Sequence, residues 1–254
     1  MEVLGIVLLV AIGGLSATVF IVSVVAHIWD WILAIRYLKY NGYGVSNGLT
    51  GRQLAENMLN SCGLNDVKVE KCGFFRMIFF GNSYSHRKKT VFLRGNIIDS
   101  SSLTATAIAS QRVALAILDK DGDNSYRKRS RYEATCALGA LSFLPIILVG
   151  ALMDWITFSE LGYITIIAFV IAFIFFGYSI FGECMVIKSD DKANAKAIEM
   201  LVSNNLVNEA EIPVVQKYYR TDMTRHILKF ILLILEFIKL IFRVLLKFLK
   251  LKLK

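Results

Sequence analysis

The chain is poor in the residues that most catalysis uses. Its three histidines are His27, His86 and His226, and no two of them stand four residues apart. A helical zinc motif needs imidazoles at i and i+4, so that both face one metal. None is spelled out, and each histidine is expected at a surface or interface. The cysteines Cys62, Cys72, Cys136 and Cys184 are scattered, with no Cys-x-x-Cys pair. They read as reduced, mostly buried thiols rather than a disulfide or metal framework. There is no Gly-x-Ser-x-Gly elbow and no Gly-x-x-x-x-Gly-Lys loop, which removes two common hydrolase and nucleotide-binding signatures. Proline occurs only 2 times, and charged residues are only 19% of the 254.

What is abundant is apolar. Hydrophobic residues make up 56% of the chain and its mean hydropathy is +0.55, against roughly 45–50% apolar in an average soluble domain. Three runs carry no charge at all: Val3 to Ala26 (24 residues), Ala134 to Met153 (20) and Leu161 to Gly182 (22). About 20 apolar residues cross a bilayer as a helix, so each run is expected to span. The first is too long for a signal peptide and has no basic residues before it, so it reads as a retained anchor. Pro145 lies inside the second and predicts a kink. Trp29, Trp31, Trp155 and Tyr163 stand near run ends, where amphipathic rings favour the interface.

The net charge of +9 is explained by its location. Residues 27–133 carry an excess of Lys and Arg, with Arg127, Lys128, Arg129 and Arg131 just before the second run. The short stretch from Asp154 to Glu160 has two acids and no base. Positive flanks stay inside, so the N-terminus is expected outside and the main domain in the cytoplasm. No nucleic-acid module accompanies the basic stretches, which excludes DNA or RNA as partners. From Arg225 onward, Lys229, Glu236, Lys239, Arg243, Lys247, Lys250 and Lys254 recur at steps of three, four or seven within a Leu, Ile and Phe background. That is a basic amphipathic helix. It is expected in the headgroup plane against anionic lipid, the alternative being a fourth span or a helix packed on a partner.

The intervening domain reads as α+β. Thr50 and Gln53 form a capping-box spacing ahead of a helix from Gly51 to about Ser61, closed by Gly63. Val67 and Val69 alternate with charges as a short strand, and Thr90 to Leu93 is a second, after a polar turn through Asn82 to Lys89. Ser100 to Ser102 offer a cap for a helix from Leu103 to about Leu118, broken by Asp119 to Ser125. Asp119, Asp121 and Asp123 have the spacing of a calcium loop, but the glycine is misplaced and Ser130 stands where a bidentate Glu is required. A solvated turn is the better reading.

Taken in order, these segments resemble the bacterial membrane-bound neutral zinc metallopeptidases. The resemblance rests on Gly48-Leu49-Thr50-Gly51, Gly63-Leu64, Val67-x-Val69, Lys89-Thr90-Val91-x-Leu93, the Ala-rich helix, the membrane pair and Lys196 to Leu201. It implies a zinc site on the Ala-rich helix. The family's HExxH motif then falls on Gln111-Arg112-Val113-Ala114-Leu115, with the third ligand near Asp190, or Glu183 or Asp191 in other registers. Gln111 is a poor ligand, Leu115 has no donor atom, and Arg112 cannot act as a base. An ion pair between Arg112 and Asp190 is the expected replacement for metal.

The chain is thus expected to be an α+β cytoplasmic domain on a mainly helical membrane protein, with three transmembrane helices and a C-terminal amphipathic helix. The segments are 1–26 (anchor), 27–133 (domain), 134–182 (helix pair), 183–224 (cytoplasmic helical segment) and 225–254. The resemblance implies a bacterial inner-membrane protein. With no catalytic residue, metal or cofactor assigned, the reading is a pseudoenzyme that scaffolds or binds other proteins, or a homo-oligomer. The alternative is an accessory subunit of a larger complex, with an active hydrolase behind both.

Overall fold

A computed structural model describes residues 2–158 and 162–252. Glu160 and Lys254 lie outside the described residues, as do the side chains of Arg131, Cys136, Arg243, Lys247 and Lys250. The elements are α1 (Glu2–Asn41), α2 (Gly51–Ser61), β1 (Lys68–Lys71), α3 (Phe74–Phe79), β2 (Ser83–Ser85), β3 (Thr90–Leu93), α4 (Gly95–Ile98), α5 (Leu103–Lys120), α6 (Asn124–Phe158), α7 (Tyr163–Ser203) and α8 (Ile212–Lys252). The chain is mainly helical with one small sheet.

Local signals explain the domain. Thr50 accepts from Gln53 N while the Gln53 side chain accepts from Thr50 N, a complete capping box that opens α2. Gly63 follows with φ +63°, a left-handed turn that costs glycine little. Gly51 has a different reason to be glycine. A Cβ there would stand 2.3 Å from the Ile97 carbonyl oxygen, so α2 packs backbone to backbone against α4. Ser102 caps α5 by accepting from Ala105 N at 3.1 Å. Strand β3 lies between parallel β1 and antiparallel β2. All four β3 side chains are buried, which is why Thr90-Val91-Phe92-Leu93 has no polar alternation. The stretch expected as a plain polar turn holds β2, whose Tyr84 is 2% exposed.

Helix α5 is the centre of the core. Ala105, Ala107, Ala109, Val113 and Ala114 are fully buried, and Ala193 and Ala197 of α7 are too. These small side chains let α5 and α7 approach closely. Tyr219 of α8 reaches in from another side, sharing a 2.7 Å hydrogen bond with Ser110 and donating to Ala107 O at 2.8 Å.

Two helices among the described residues are long and apolar enough to cross a membrane, Val10–Asn41 and Tyr163–Ser203. Only 11% and 17% of their most apolar windows are buried, so these side chains face outward rather than fill a soluble core. Three spans were expected. The described apolar stretch of α6, Pro145–Thr157, falls short of that length. Helix α6 runs as one element through Pro145 and packs against α7 as a hairpin. A Cβ on Gly150 would lie 2.4 Å from the Ala168 Cβ. Fully buried Asp154 closes the hairpin by accepting from Gly162 N, Ile164 N and Thr165 N at 2.9, 3.1 and 2.6 Å. One carboxylate thereby satisfies three free N–H groups at the start of α7.

Helix α8, expected in the headgroup plane, packs against the other long helices. Phe237 stacks on Phe173 and Phe176 of the apolar α7 run, with centroids 4.7 and 5.2 Å apart. Trp29 of α1 donates to Thr221 O at 3.2 Å, and Lys229 meets Asp30 at 3.6 Å. The helix therefore runs lengthwise along α1 and α7 of the same chain. Its aromatic side chains gain more from those rings than from lipid headgroups, and Glu236 pairs with Lys239 at 2.8 Å on the same helix.

Candidate functional site

The residues aligned with the catalytic motif sit where α5 faces α7. Gln111 is 3% exposed and its Nε2 donates to Asn194 Oδ1 at 2.7 Å. One residue further along α5, Arg112 Nη1 stands 3.8 Å from Asp190 Oδ1, one turn before Asn194 on α7. The same Asp190 oxygen accepts a closer hydrogen bond from Arg129 Nη1 of α6, which also donates to Ser189 Oγ at 2.9 Å. Two guanidiniums thus converge on one carboxylate that is 3% exposed. Burial alone would raise the Asp190 carboxyl, but Arg129 and Arg112 outweigh it and hold the group below the ordinary carboxylate range.

The three acids left open by the sequence are placed differently. Asp190 faces α5, Asp191 is exposed, and Glu183 is half-buried on a different turn. Gln111 and Arg112 line a cleft, whereas Leu115 is 1% exposed and belongs to the apolar core. Arg129 was read from sequence only as a membrane-flanking charge. Its side chain is 7% exposed and completes the cluster. No spacing could have found it, because α6 and α7 meet through tertiary packing alone.

Other candidates also moved. His226, expected at a surface or interface, lines the same cleft with Asp222 at 3.8 Å. Burial lowers its pKa against the pull of Asp222, so the neutral form is favoured. His86 shares Asp119 with Tyr84 and Lys89: Nδ1 lies 2.7 Å and Tyr84 Oη 2.8 Å from Oδ2. Asp119 is therefore a buried anchor rather than part of a solvated turn. His27 Nδ1 donates back to Ser23 O at 2.6 Å. Cys62 and Cys72 are half-buried free thiols, and Cys184 is exposed where burial was expected.

The would-be calcium acids diverge. Asp119 faces Tyr84, Asp121 is exposed, and Asp123 accepts from Ser125 N at 2.7 Å and pairs with Lys192. Burial raises the Asp123 pKa, but the Lys192 and Ser125 bonds prevail and bring it down from 3.8 to about 2. A lowered carboxylate pKa adds stability above its unfolded value, and the gain is lost as pH falls through the folded one. Asp123→Asn is expected to flatten the acid limb of the unfolding midpoint between about pH 4 and pH 2. A thermal-melt series in that window checks it, and an unchanged limb would refute the assignment.

The donor set does not fit zinc. Gln111 offers an amide, Leu115 offers nothing, and the remaining carboxylate is engaged by two cations. Among the described residues no group of three or more His, Cys, Asp or Glu converges.

The chain matches the family model described as "Putative neutral zinc metallopeptidase" over residues 15–245, and it belongs to that family. No curated protein and no solved structure matches it.

Proposed function

We propose that this chain is a non-catalytic member of the neutral zinc metallopeptidase family that acts at a membrane as a binding or scaffold protein. The carrying observation is the ion-pair contact between Arg112 and Asp190, at the motif's base and third-ligand positions. A permanently charged guanidinium stands where the family requires a carboxylate base, and it repels any divalent cation from the acid beside it. In this reading three helices cross the bacterial inner membrane, α6 pairing with α7 along its length, and the α2–α5 domain lies in the cytoplasm.

The chain purified in mild detergent is expected to hold far less than one zinc per molecule and to leave casein uncut with added zinc. One zinc per chain by elemental analysis, removed together with proteolysis by a chelator, would overturn the proposal.

One observation favours an accessory-subunit role as the second reading. Helix α3 exposes Phe74 at 67%, Phe75 at 76% and Ile78 at 59%. A contiguous apolar patch on a polar domain is a usual mark of a partner or a membrane. A fixed set of co-eluting proteins in the same purification would select that reading over the lone scaffold.

A further inference from the structure

A cleft of about 900 Å³ opens beside the Arg112–Asp190–Arg129 cluster. Its walls come from five helices: Asp30–Leu38 of α1, Arg129 of α6, Val186 and Asp190 of α7, Tyr218–Lys229 of α8, and Gln111 and Arg112 of α5, with Arg94 also lining it. The first three sets lie in the turns next to the uncharged runs that end at Ala26, begin at Ala134 and end at Gly182. The cleft therefore sits at the level where the polar headgroups of a bilayer would meet the protein.

Its charge is unbalanced. Arg94, Arg112, Arg129, Arg225 and Lys229 face Asp30, Asp190 and Asp222, so five cations meet three carboxylates. Lys229 takes Asp30 at 3.6 Å, and Arg225 takes Asp222 at 2.7 Å. Asp190 serves both Arg112 and Arg129. Arg94 meets no carboxylate within ion-pair distance among the described residues, and its Nη2 reaches only Met77 O at 3.4 Å. The buried Nε groups of Arg112 and Arg225 have no acceptor among the described residues. An unsatisfied buried donor costs about 1–3 kcal/mol, more when charged, so acceptor oxygens are favoured here. Leu33, Ala34 and Leu38 add an apolar wall on the α1 side.

We infer that this cleft binds a phosphate ester anion, and that its source is the headgroup of an anionic phospholipid. Guanidiniums recognise phosphate oxygens with directed hydrogen bonds, and basic pockets between membrane helices hold such headgroups. The volume accommodates a glycerophosphate headgroup with the start of its chains. The inference rests on the non-catalytic, membrane-bound reading of the chain.

The test uses the full chain in nanodiscs of phosphatidylcholine alone or with one-fifth phosphatidylglycerol. Glycerol 3-phosphate is added to the former in a third arm. Arg94 and Lys229 are exposed, so Arg94→Gln with Lys229→Gln leaves the core intact. Lys68→Gln with Lys217→Gln, outside the cleft, keeps the same net charge as a control. Phosphatidylglycerol is expected to raise the unfolding midpoint by about 3 °C or more in the wild type and the control, but not in the cleft variant. A rise with glycerol 3-phosphate that the cleft variant also loses supports the site and assigns a soluble source. No rise in either arm, a cleft variant that behaves as wild type, or equal loss in the control overturns it. Zinc measured on the same samples keeps the two claims separate. Zinc at one per chain defeats the non-catalytic reading, whereas lipid failure without zinc defeats only this inference.

Discussion

Asp190→Asn is expected to destabilise the folded chain by about 3–5 kcal/mol, because it leaves two buried guanidiniums without their shared anion. Denaturant unfolding in detergent, compared with wild type, measures the loss. Removing the cations one at a time should give unequal results. Arg129 hydrogen-bonds the carboxylate and Ser189, while Arg112 stands 3.8 Å away. Arg129→Leu is therefore expected to cost more than Arg112→Leu. The ordering is informative because a simple exchange of charge between positions 112 and 190 cannot restore the cluster. The new cation at 190 would face Arg129. Rescue requires the third partner, so a double exchange that fully recovers stability would show that Arg129 is not coupled to the pair.

Writing the family motif back into α5 is expected to destabilise the chain without restoring metal. Gln111→His, Arg112→Glu and Leu115→His together place an imidazole at a position 1% exposed within the apolar core. They also set a second carboxylate against Asp190. Burying a polar ring without a partner costs about 1–3 kcal/mol by mutational measures, and the lost leucine packing adds about 2–5 kcal/mol. Arg129 still holds Asp190. The expected result is a midpoint lower by several degrees and zinc far below one per chain. Stoichiometric zinc in the triple variant would mean that the α5–α7 interface reorganises more freely than its packing suggests. Adding Arg129→Leu is the variant in which metal binding has its best chance, since it releases Asp190.

Much of the domain was legible because its signals are local. The Thr50–Gln53 box, the Ser102 cap and the Thr90–Leu93 strand are each determined within a few residues, and each was found at its expected place. The family was legible too, through the order and spacing of its motifs. What escaped depends on distant contacts. Helix α3 was missed because Phe74 to Phe79 has neither strand alternation nor an amphipathic period. Arg76 turns inward, packing over Phe92 at 3.8 Å. The packing of α8 was not legible because the charge stripe from Lys229 onward is the same for a helix on lipid and for one along other helices. Phe173, Phe176 and Asp30, from remote parts of the chain, make the difference. Arg129 was misassigned for a related reason. A basic run beside an apolar one looks alike whether its members reach headgroups or turn inward to a carboxylate.

The uninterrupted length of α7 has a mechanical meaning. At about 1.5 Å per residue, its 41 residues make a rod of roughly 60 Å. One end is clamped by Asp154 through Gly162, Ile164 and Thr165, and Asp190 and Asn194 sit near the other. One continuous helix thus joins the Asp154 clamp to the Asp190 cluster.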